Sequence, residues 1–280
     1  MEGQIIKISS DLCFVESLGK IYPCKCRGLF RKEHITPMVG DYVLFHSDKR
    51  VIEEILPRKN AFDRPKVSNI DQAFIITSLV LPDISFSLLD KFLVLMEIHH
   101  VKPIICITKE DLISDSEWRT IQTSLQYYQK IGYSIVYHYE IDKIKKLLKN
   151  KTSVFTGQTG AGKTTLLNQL NSDWNLETGE VSMALGRGKH TTRTVELFPF
   201  LGGKVIDTPG FSSLEVSSYS KEEIRSAFPE FSSYPCEFKD CMHLKGEDCG
   251  VRKAVLNHSI MESRYLNYLD FMGGEVHEKN

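Results

Sequence analysis

The 280-residue sequence lacks the long apolar segments of membrane proteins. No hydrophobic run approaches the roughly 20 residues that a membrane-spanning helix needs. The opening residues, MEGQIIKISSDLCFVES, contain no basic stretch followed by an apolar one, so no secretory signal is expected. A net charge of −1 gives the whole chain no basic imbalance of the kind that marks nucleic-acid binding. We therefore expect a cytoplasmic protein with no membrane partner.

The chain also lacks the paired cysteines of a disulfide-stabilised protein. It has seven cysteines, an odd number, and without an export signal disulfides are not expected. Cys24 and Cys26 alternate along a predicted strand, which favours packing roles for both. Three other cysteines fall within residues 236–249 and form a cluster with a different meaning.

The N-terminal region, residues 1–66, is rich in short strands separated by Gly, Asp, Ser or Lys. Five short strands in about sixty residues are typical of a small β-barrel such as the OB-fold. Residues 60–69 are polar and aperiodic, which predicts a linker. The five predicted strands are GQIIKI, LCFVES, KIYPCKC, DYVLFHS and VIEEIL.

Residues 67–218 alternate buried strands with helices, which predicts an α/β domain with a mostly parallel sheet. Strands are expected at QAFIITSLV, KPIICIT, YSIVYHY, TSVFTG and KVIDTPG. The helix SEWRTIQTSLQYYQKIG has Ser116 as its expected N-cap and Gly132 as its expected C′ residue. Residues 219–280 predict a small, mostly helical third domain interrupted by the cysteine cluster.

The segment GQTGAGKT at residues 157–164 fits the phosphate-binding pattern G-x-x-x-x-G-K-[ST]. We call it the cradle. A predicted strand precedes it and a predicted helix follows it, which is the context the pattern requires. Backbone N–H groups and the helix dipole would face phosphates, Lys163 would reach the β- and γ-phosphates, and Thr164 would ligate Mg²⁺. The expected contact residues are Gly157, Gln158, Thr159, Gly160, Ala161, Gly162, Lys163, Thr164 and Thr165.

The segment TKED, Thr108, Lys109, Glu110 and Asp111, directly follows a buried strand. We call it the base-reading loop. One carboxylate, that of Asp111, can accept hydrogen bonds from both guanine N1–H and the N2 amine, and adenine lacks both donors. The stem of Lys109 can cover the face of the base. Thr108 stands where Asn is more usual in this pattern.

Two later segments have the composition of γ-phosphate sensors. In KVIDTPGF, Asp207 could hold Mg²⁺ through water and the Gly210 N–H could face the γ-phosphate. In ALGRGKHTTRTVEL, Thr191 or Thr192 could complete the Mg²⁺ shell, although a solvated strand edge would have the same composition. Phe211 stands where many GTPases place a water-orienting Gln, so His190 is the candidate catalytic residue beside Lys163.

The tail segment PCEFKDCMHLKGEDCG places Cys236, Cys241, His243 and Cys249 in the spacing C-x₄-C-x-H-x₅-C. Four such ligands within fourteen residues are the number that one structural, tetrahedral Zn²⁺ needs.

Together, TKED before GQTGAGKTT, then GRGKHTTR, DTPG and the Cys/His tail, resemble the RsgA (YjeQ) family of circularly permuted GTPases. The resemblance implies an OB-fold, a permuted GTPase domain and a zinc domain. It further implies GTP hydrolysis stimulated by the small ribosomal subunit (16S rRNA and proteins) and a role in the late maturation of that subunit. We also expect a monomer that binds GTP and GDP and uses Mg²⁺ with GTP.

Three other functions are compatible with parts of the sequence. A P-loop kinase or ATPase would share the cradle, but TKED and DTPG argue against it. A GTP-sensing RNA-binding module with negligible catalysis is compatible with Phe211. A metal-delivery GTPase would use the cysteine cluster as a cargo site.

Overall fold

A computed structural model describes residues 1–28, 30, 35–174, 195–207 and 215–273. These residues form two compact units. Unit 1 takes the described residues within 1–74, 139–156 and 163–213. Unit 2 takes those within 75–138, 157–162 and 214–280.

The described strands mostly follow the apolar segments of the sequence. Segments in which apolar and polar residues alternate suit half-buried strands, and wholly apolar segments suit fully buried strands. In chain order the strands are β1 Glu2–Ser9, β2 Leu12–Ser17, β3 Lys20–Cys26, β4 Tyr42–His46, β5 Val51–Ile55, β6 Ala61–Asp63, β7 Lys66–Ser68, β8 Gln72–Ser78, β9 Lys102–Thr108, β10 Ser134–Tyr137, β11 Thr152–Gly157, β12 Glu196–Phe200 and β13 Gly203–Asp207.

The described α-helices are α1 Phe86–Ile98, α2 Asp115–Lys130, α3 Ile141–Leu148, α4 Lys163–Leu170, α5 Lys221–Ser226, α6 Gly250–Leu256 and α7 Glu262–Phe271. Short 3₁₀ helices cover Glu110–Leu112, Ser172–Trp174, Val216–Ser218 and Pro229–Ser233. Within the described residues, no helix has both the length and the apolar content required to cross a bilayer.

The N-terminal strands of unit 1 form the predicted five-stranded barrel. Their order is β1-β2-β3-β5-β4, and β4 pairs with β1 to close the barrel. Inward side chains such as Ile5, Val15, Val43 and Ile52 are fully buried, while their neighbours along each strand are more exposed. This closed order is that of an OB-type barrel, so the prediction from strand spacing is confirmed.

The linker predicted at residues 60–69 is wrong, because this segment forms a hairpin of β6 and β7. Phe62 and Val67 pair across the hairpin and are fully buried. The amide side chain of Asn60 joins the two ends by bonding both backbone groups of Ile70, at 2.8 and 2.9 Å. Only two apolar positions carry this hairpin, which is too few for a periodic pattern to reveal.

Unit 1 continues from the barrel into strands of the α/β region. β11 pairs in parallel with β13, and β12 pairs antiparallel with both β13 and β1. Lys7 on β1 and Glu196 on β12 are Cα partners, and their side chains form an ion pair at 2.6 Å. The sequence did not predict β12, because ELFPF contains a proline and follows a threonine-rich segment.

Unit 2 contains β8 from Ile75 onward, together with β9 and β10. The strand order is β10-β9-β8, and β9 and β10 are parallel. β8 is buried along its whole length and β9 at all but its first residue, as their apolar sequences predict. α2 begins two residues before the predicted position. Its N-cap is Ser114, not Ser116, because Ser114 and Glu117 form a reciprocal capping box. Gly132, with φ of +105°, follows the C-cap as predicted.

The helix α3 was not predicted, although its buried residues Ile144 and Leu148 lie four apart on one helical face. The mostly helical region predicted after the cysteine cluster forms two helices, α6 and α7.

Candidate nucleotide site and metal centre

The predicted cradle begins where β11 ends, at Gly157. The φ of this residue is +143°, a value that L side chains rarely adopt. A Cβ atom on Gly157 would lie 2.2 Å from the backbone carbonyl oxygen of Ile76. The chain then turns, with the Ala161 N–H donating to the Gln158 carbonyl at 3.1 Å. The close approach of two backbones explains why glycine stands at the start of the cradle.

The cradle ends where α4 begins. Lys163 and Thr164 occupy the first turn and are half-buried, and Thr165 is exposed. The unpaired N–H groups of a helix N-terminus attract anions such as phosphate. The structure therefore gives the predicted phosphate-binding residues the strand–turn–helix context that this chemistry requires.

The base-reading loop follows β9 and contacts the cradle. The hydroxyl of Thr108, 4% exposed, donates to the Ala161 carbonyl at 2.7 Å. The Lys109 ammonium donates to the Gly160 carbonyl at 2.9 Å and also to the Leu81 carbonyl. Two segments about fifty residues apart in sequence are thus joined by side-chain hydrogen bonds.

The structure shows which contact the Thr108 hydroxyl makes. Asn is more usual at this position, and the contact made by a Thr was not predictable from the pattern alone. Here Thr108 supports the turn of the cradle through Ala161. The next two residues, Glu110 and Asp111, enter a short 3₁₀ helix, and the Asp111 side chain is exposed.

The remaining nucleotide predictions fall largely outside the described part of the chain. Asp207 is the last residue of β13. His190, Thr191, Thr192 and Gly210 lie outside the described residues.

The four predicted metal ligands converge in unit 2. One donor atom from each of Cys236, Cys241, His243 and Cys249 lies within 4.8 Å of the others. The Cys236 Sγ lies 3.7 Å from the Cys249 Sγ and 3.3 Å from the His243 Nδ1, which is 3.4 Å from the Cys249 Sγ. A tetrahedron with Zn–S bonds of about 2.3 Å separates its sulfurs by about 3.8 Å. The donor set and spacing therefore fit a tetrahedral zinc ion.

Backbone N–H groups orient the thiol ligands. The N–H of Gly250, at the start of α6, donates to the Cys236 Sγ at 3.3 Å, and that of Arg252 donates to the Cys249 Sγ at 3.5 Å. The N–H of His243 donates to the Cys241 Sγ at 3.4 Å. Such donors favour thiolates, the form in which cysteine binds metal.

The pKa values of the ligands reflect burial and these hydrogen bonds. Burial acts to raise the pKa of Cys236, but backbone N–H donors including Gly250 outweigh it and lower the pKa. Burial raises the pKa of the Cys249 thiol to about 11. Burial and the nearby Arg225 charge lower the pKa of His243, which favours the neutral imidazole whose lone pair can bind a metal.

Tyrosines of α7 hold the backbone of the metal centre. The Tyr265 hydroxyl donates to the His243 carbonyl at 2.6 Å, and the Tyr268 hydroxyl donates to the Met242 carbonyl at 2.5 Å. Phe231 packs edge-on against the His243 ring with centroids 5.3 Å apart. The sequence did not predict the two tyrosine contacts, because their partners are backbone carbonyls 22 and 26 residues away.

The sequence also gave no role to His138, which lies directly after β10. Its ring Nδ1 lies 3.2 Å from a carboxylate oxygen of Glu110 in the base-reading loop. The backbone N–H of His138 donates to the Ile107 carbonyl. The available signal was topological: residues that follow neighbouring parallel strands meet at one edge of the sheet.

Sequence comparison places these features among known proteins. The RsgA GTPase family profile matches residues 55–217, and the RsgA N-terminal domain profile matches residues 2–51. A protein of Latilactobacillus sakei named small ribosomal subunit biogenesis GTPase RsgA is 47% identical, over 96% of this chain and 94% of its own length. A Listeria monocytogenes protein named small ribosomal subunit biogenesis GTPase RsgA 1 is 47% identical, over 97% of this chain and 96% of its own.

Solved structures give the same result. The crystal structure of YjeQ from Thermotoga maritima matches with a TM-score of 0.84 and 35% identity, covering 97% of both chains. The crystal structure of YloQ, described as a circularly permuted GTPase, matches with a TM-score of 0.81 and 40% identity, covering 97% of this chain and 93% of its own.

Proposed function

This chain belongs to the RsgA GTPase family, and from that premise we propose that it hydrolyses GTP while bound to the small ribosomal subunit and assists late maturation of that subunit. The relatives named above are called small ribosomal subunit biogenesis GTPases. The observation that carries the proposal is the contact of the base-reading loop with the cradle, through Thr108 and Ala161. A loop that can select guanine and a turn that can bind phosphates are thereby adjacent.

The proposed nucleotide contacts divide by chemistry. Asp111 accepts from the guanine N1–H and N2 amine, and the Lys109 stem covers the base. Backbone N–H groups of the cradle and the Lys163 ammonium bind the phosphates. The assigned residues are Thr108, Lys109, Glu110, Asp111, Gly157, Gln158, Thr159, Gly160, Ala161, Gly162, Lys163, Thr164, Thr165, Asp207 and Gly210.

Hard oxygen ligands for Mg²⁺ are available from Thr164, from Asp207 and from Thr191 or Thr192. Bound with GTP, Mg²⁺ would neutralise charge on the β- and γ-phosphates. Lys163 adds positive charge at the same phosphates. The residue after Gly210 is Phe211, which cannot orient water, so we assign His190 the role of positioning or activating the attacking water.

One structural zinc ion is proposed at Cys236, Cys241, His243 and Cys249. The segment 235–249 contains neither helix nor strand, so the ion would supply the cross-link that secondary structure does not. A structural zinc ion is held by four protein ligands and has no free coordination position for water or substrate.

The partner proposed is the small ribosomal subunit, through its 16S rRNA and proteins. We propose that the chain acts as a cytoplasmic monomer with three domains: the barrel at 1–66, the permuted GTPase domain at 67–218 and the zinc domain at 219–280. OB-type barrels commonly bind oligonucleotides, which supports an RNA contact from the first of these.

The test is a GTPase assay with purified small ribosomal subunits on the wild type, Lys163→Ala and His190→Ala. Phosphate release by the wild type should rise when subunits are added. Lys163→Ala should lose nucleotide binding, whereas His190→Ala should bind GTP and fail to be stimulated.

The second candidate function, a GTP-sensing RNA-binding module with negligible catalysis, is favoured by the apolar Phe211. It predicts GTP-dependent subunit binding without phosphate release in the same assay. Equal binding of ATP and GTP would contradict both functions.

A further inference from the structure

Two cysteines on neighbouring strands of the barrel lie side by side. The Sγ atoms of Cys13 on β2 and Cys26 on β3 are 3.7 Å apart. Cys13 is 3% exposed, whereas Cys26 is half-buried at the end of its strand. The pair therefore joins a partly exposed cysteine to a buried one.

The two thiols differ in acidity in the direction that such a pair needs. The hydrogen bond with Cys13 lowers the pKa of the Cys26 thiol, against the effect of burial. The same hydrogen bond, together with burial, raises the pKa of Cys13. The more exposed cysteine is thus the one that ionises more readily, and thiolates rather than thiols react with peroxides.

A third cysteine, Cys24, lies nearby on β3. Cys24 is the Cα partner of Cys13 across β2 and β3 and is fully buried. Burial raises its pKa. Cys24 therefore provides a control of the same residue type on the same face of the barrel.

We propose that Cys26 and Cys13 form a dithiol that hydroperoxides oxidise to a disulfide. The Cys26 thiolate attacks the terminal peroxide oxygen, the O–O bond breaks, and the alkoxide leaves and takes up a proton, giving a Cys26 sulfenic acid. The Cys13 sulfur then attacks the Cys26 sulfur, its thiol proton leaves with the sulfenic hydroxyl as water, and the S–S bond forms. Two thiols are oxidised, and one hydroperoxide is reduced to an alcohol and water.

The sequence makes the product identifiable, since trypsin cleavage after Lys7, Lys20, Lys25 and Arg27 separates all three thiols. The full-length protein is treated with hydrogen peroxide at one equivalent, alkylated and analysed by peptide mass spectrometry. We expect Ile8–Lys20 linked to Cys26–Arg27. A link from Ile8–Lys20 to Ile21–Lys25, which contains Cys24, would overturn the assignment, as would alkylated Cys13 and Cys26 after complete consumption of the peroxide.

Variants separate the two chemical steps. Cys13→Ser should stop the reaction at the sulfenic acid, which dimedone then labels on Cys26. Cys24→Ser should form the same disulfide as the wild type. Dimedone labelling that is equal in the wild type and Cys13→Ser would show that Cys13 does not resolve the intermediate and would reject the proposal.

A separate observation concerns the base-reading loop. The 3₁₀ turn Glu110–Leu112 has no buried residue and no side-chain cap at its N-terminus. Asp111 and Leu112 are exposed. A turn with so little packing would hold the Asp111 carboxylate poorly unless a neighbouring element fixed it.

His138 is that neighbouring element. Its backbone N–H continues the pairing of β10 with β9 by donating to the Ile107 carbonyl at 2.9 Å. Its imidazole contacts Glu110 at 3.2 Å, and the two side chains are only 28% and 17% exposed. The residue directly before Asp111 is thus fastened to the sheet.

We infer that His138 is a positioning residue for guanine selection: by holding Glu110 it fixes the Asp111 carboxylate against the base. This inference rests on the proposed GTPase function. A carboxylate that is already placed loses less conformational freedom on binding, so the base contact retains more of its free energy.

The test compares GDP with IDP, whose base lacks only the N2 amine. In the wild type, GDP should bind more tightly than IDP. His138→Ala should reduce this ratio about fivefold, and His138→Gln, whose amide can still donate to Glu110, should restore most of it. A purely structural role would weaken both nucleotides equally and leave the ratio unchanged, which would reject the inference. Failure of the wild type to bind GDP would instead reject the proposed function.

Discussion

At the scale of single residues, Gly157 tolerates no side chain. Two independent constraints act on it: a φ of +143° and a backbone oxygen 2.2 Å from the position of a Cβ atom. Gly160, three residues later, has only the first kind of constraint. Its φ is +78°, and the nearest atom to its Cβ position is the Pro82 Cδ at 3.6 Å, an ordinary contact. A comparison of substitutions at the two glycines therefore distinguishes the cost of a steric clash from the cost of backbone strain.

We predict that Gly157→Ala lowers the free energy of unfolding by more than about 3 kcal/mol, because backbone of β8 or β11 must shift. Gly160→Ala should lower it by only about 1 kcal/mol, the strain of a non-glycine residue at positive φ. Urea denaturation of both variants measures the difference. Equal losses would show that the close approach to Ile76 does not constrain the fold.

At the scale of elements, a buried arginine joins α7 to α1. Arg264 is fully buried and donates to Asp90 on α1 at 2.5 Å and to Glu230. Its guanidinium also lies 4.6 Å from the Phe228 ring centroid. Asp90 accepts further hydrogen bonds at 2.7 Å, one of them from Asn267 on α7. Because α7 also supports the metal centre, this network ties the metal centre to the helix that follows β8.

We predict that Arg264→Ala lowers the free energy of unfolding by about 3–5 kcal/mol, since it leaves two buried carboxylates without their cation. Arg264→Lys keeps the charge but cannot bond both carboxylates in the same planar geometry, so its loss should be smaller. The double variant Arg264→Ala with Asp90→Asn should lose less than the sum of the single losses. Additive losses in this cycle, measured by urea denaturation, would contradict direct pairing.

The segment that carries the metal ligands is the second case at this scale. Residues 235–249 have no helix or strand of their own. Their order depends on four ligands, on the tyrosine hydroxyls of α7, and on Gly250, where a Cβ atom would lie 2.2 Å from the Pro235 carbonyl. A metal ion would supply much of the free energy that holds such a segment.

We predict that Cys241→Ser, or treatment of the wild type with a strong chelator, removes one zinc ion per chain and lowers Tm by about 5 °C or more. Cys24→Ser provides the control, because this cysteine lies in the barrel and should leave the zinc content unchanged. Atomic absorption and differential scanning calorimetry measure the two quantities. Full zinc content in Cys241→Ser would remove that residue from the ligand set.

At the scale of the whole molecule, the base-reading loop and the cradle are in contact although their order along the chain is inverted. The base-reading loop precedes the cradle in sequence, whereas ordinary GTPases have the opposite order. Hydrogen bonds from Thr108 and Lys109 nevertheless join the loop to the cradle. Strand adjacency in the sheet, rather than position in the sequence, decides which loops meet.

A ligand that binds only the folded chain stabilises it by mass action. We therefore predict that GDP at about 100 times its Kd raises the stability by about 2.7 kcal/mol, which corresponds to a rise in Tm of roughly 5–10 °C. ADP should produce no rise, because adenine lacks the N1–H and N2 donors from which we propose that Asp111 accepts hydrogen bonds. Lys163→Ala should abolish most of the GDP effect. Thermal unfolding with each nucleotide tests this, and equal shifts with ADP and GDP would contradict guanine selection by Asp111.

Local sequence signals were sufficient for much of the fold and failed where the determining contact is distant. The five barrel strands and the buried strands β8 and β9 were predicted because their apolar patterns are local. The N-cap of α2 was misplaced because Ser114 and Ser116 are both acceptable caps by type. The capping box formed with Glu117 decides between them. The 60–69 hairpin was missed because Asn60 stabilises it through Ile70.

The sequence by itself determined the barrel, the α/β region, the cradle, the base-reading loop and the spacing of the four metal ligands. These features are encoded by residue types and by the spacing of residues within each motif. Circular permutation changes the order of the motifs but leaves the spacing within each motif unchanged. Only the tertiary structure decided that Thr108 supports the cradle, that His138 holds Glu110 and that Arg264 joins α7 to α1. The physical reason is that each of these contacts depends on which strands and helices lie side by side, a property that no local stretch of sequence contains.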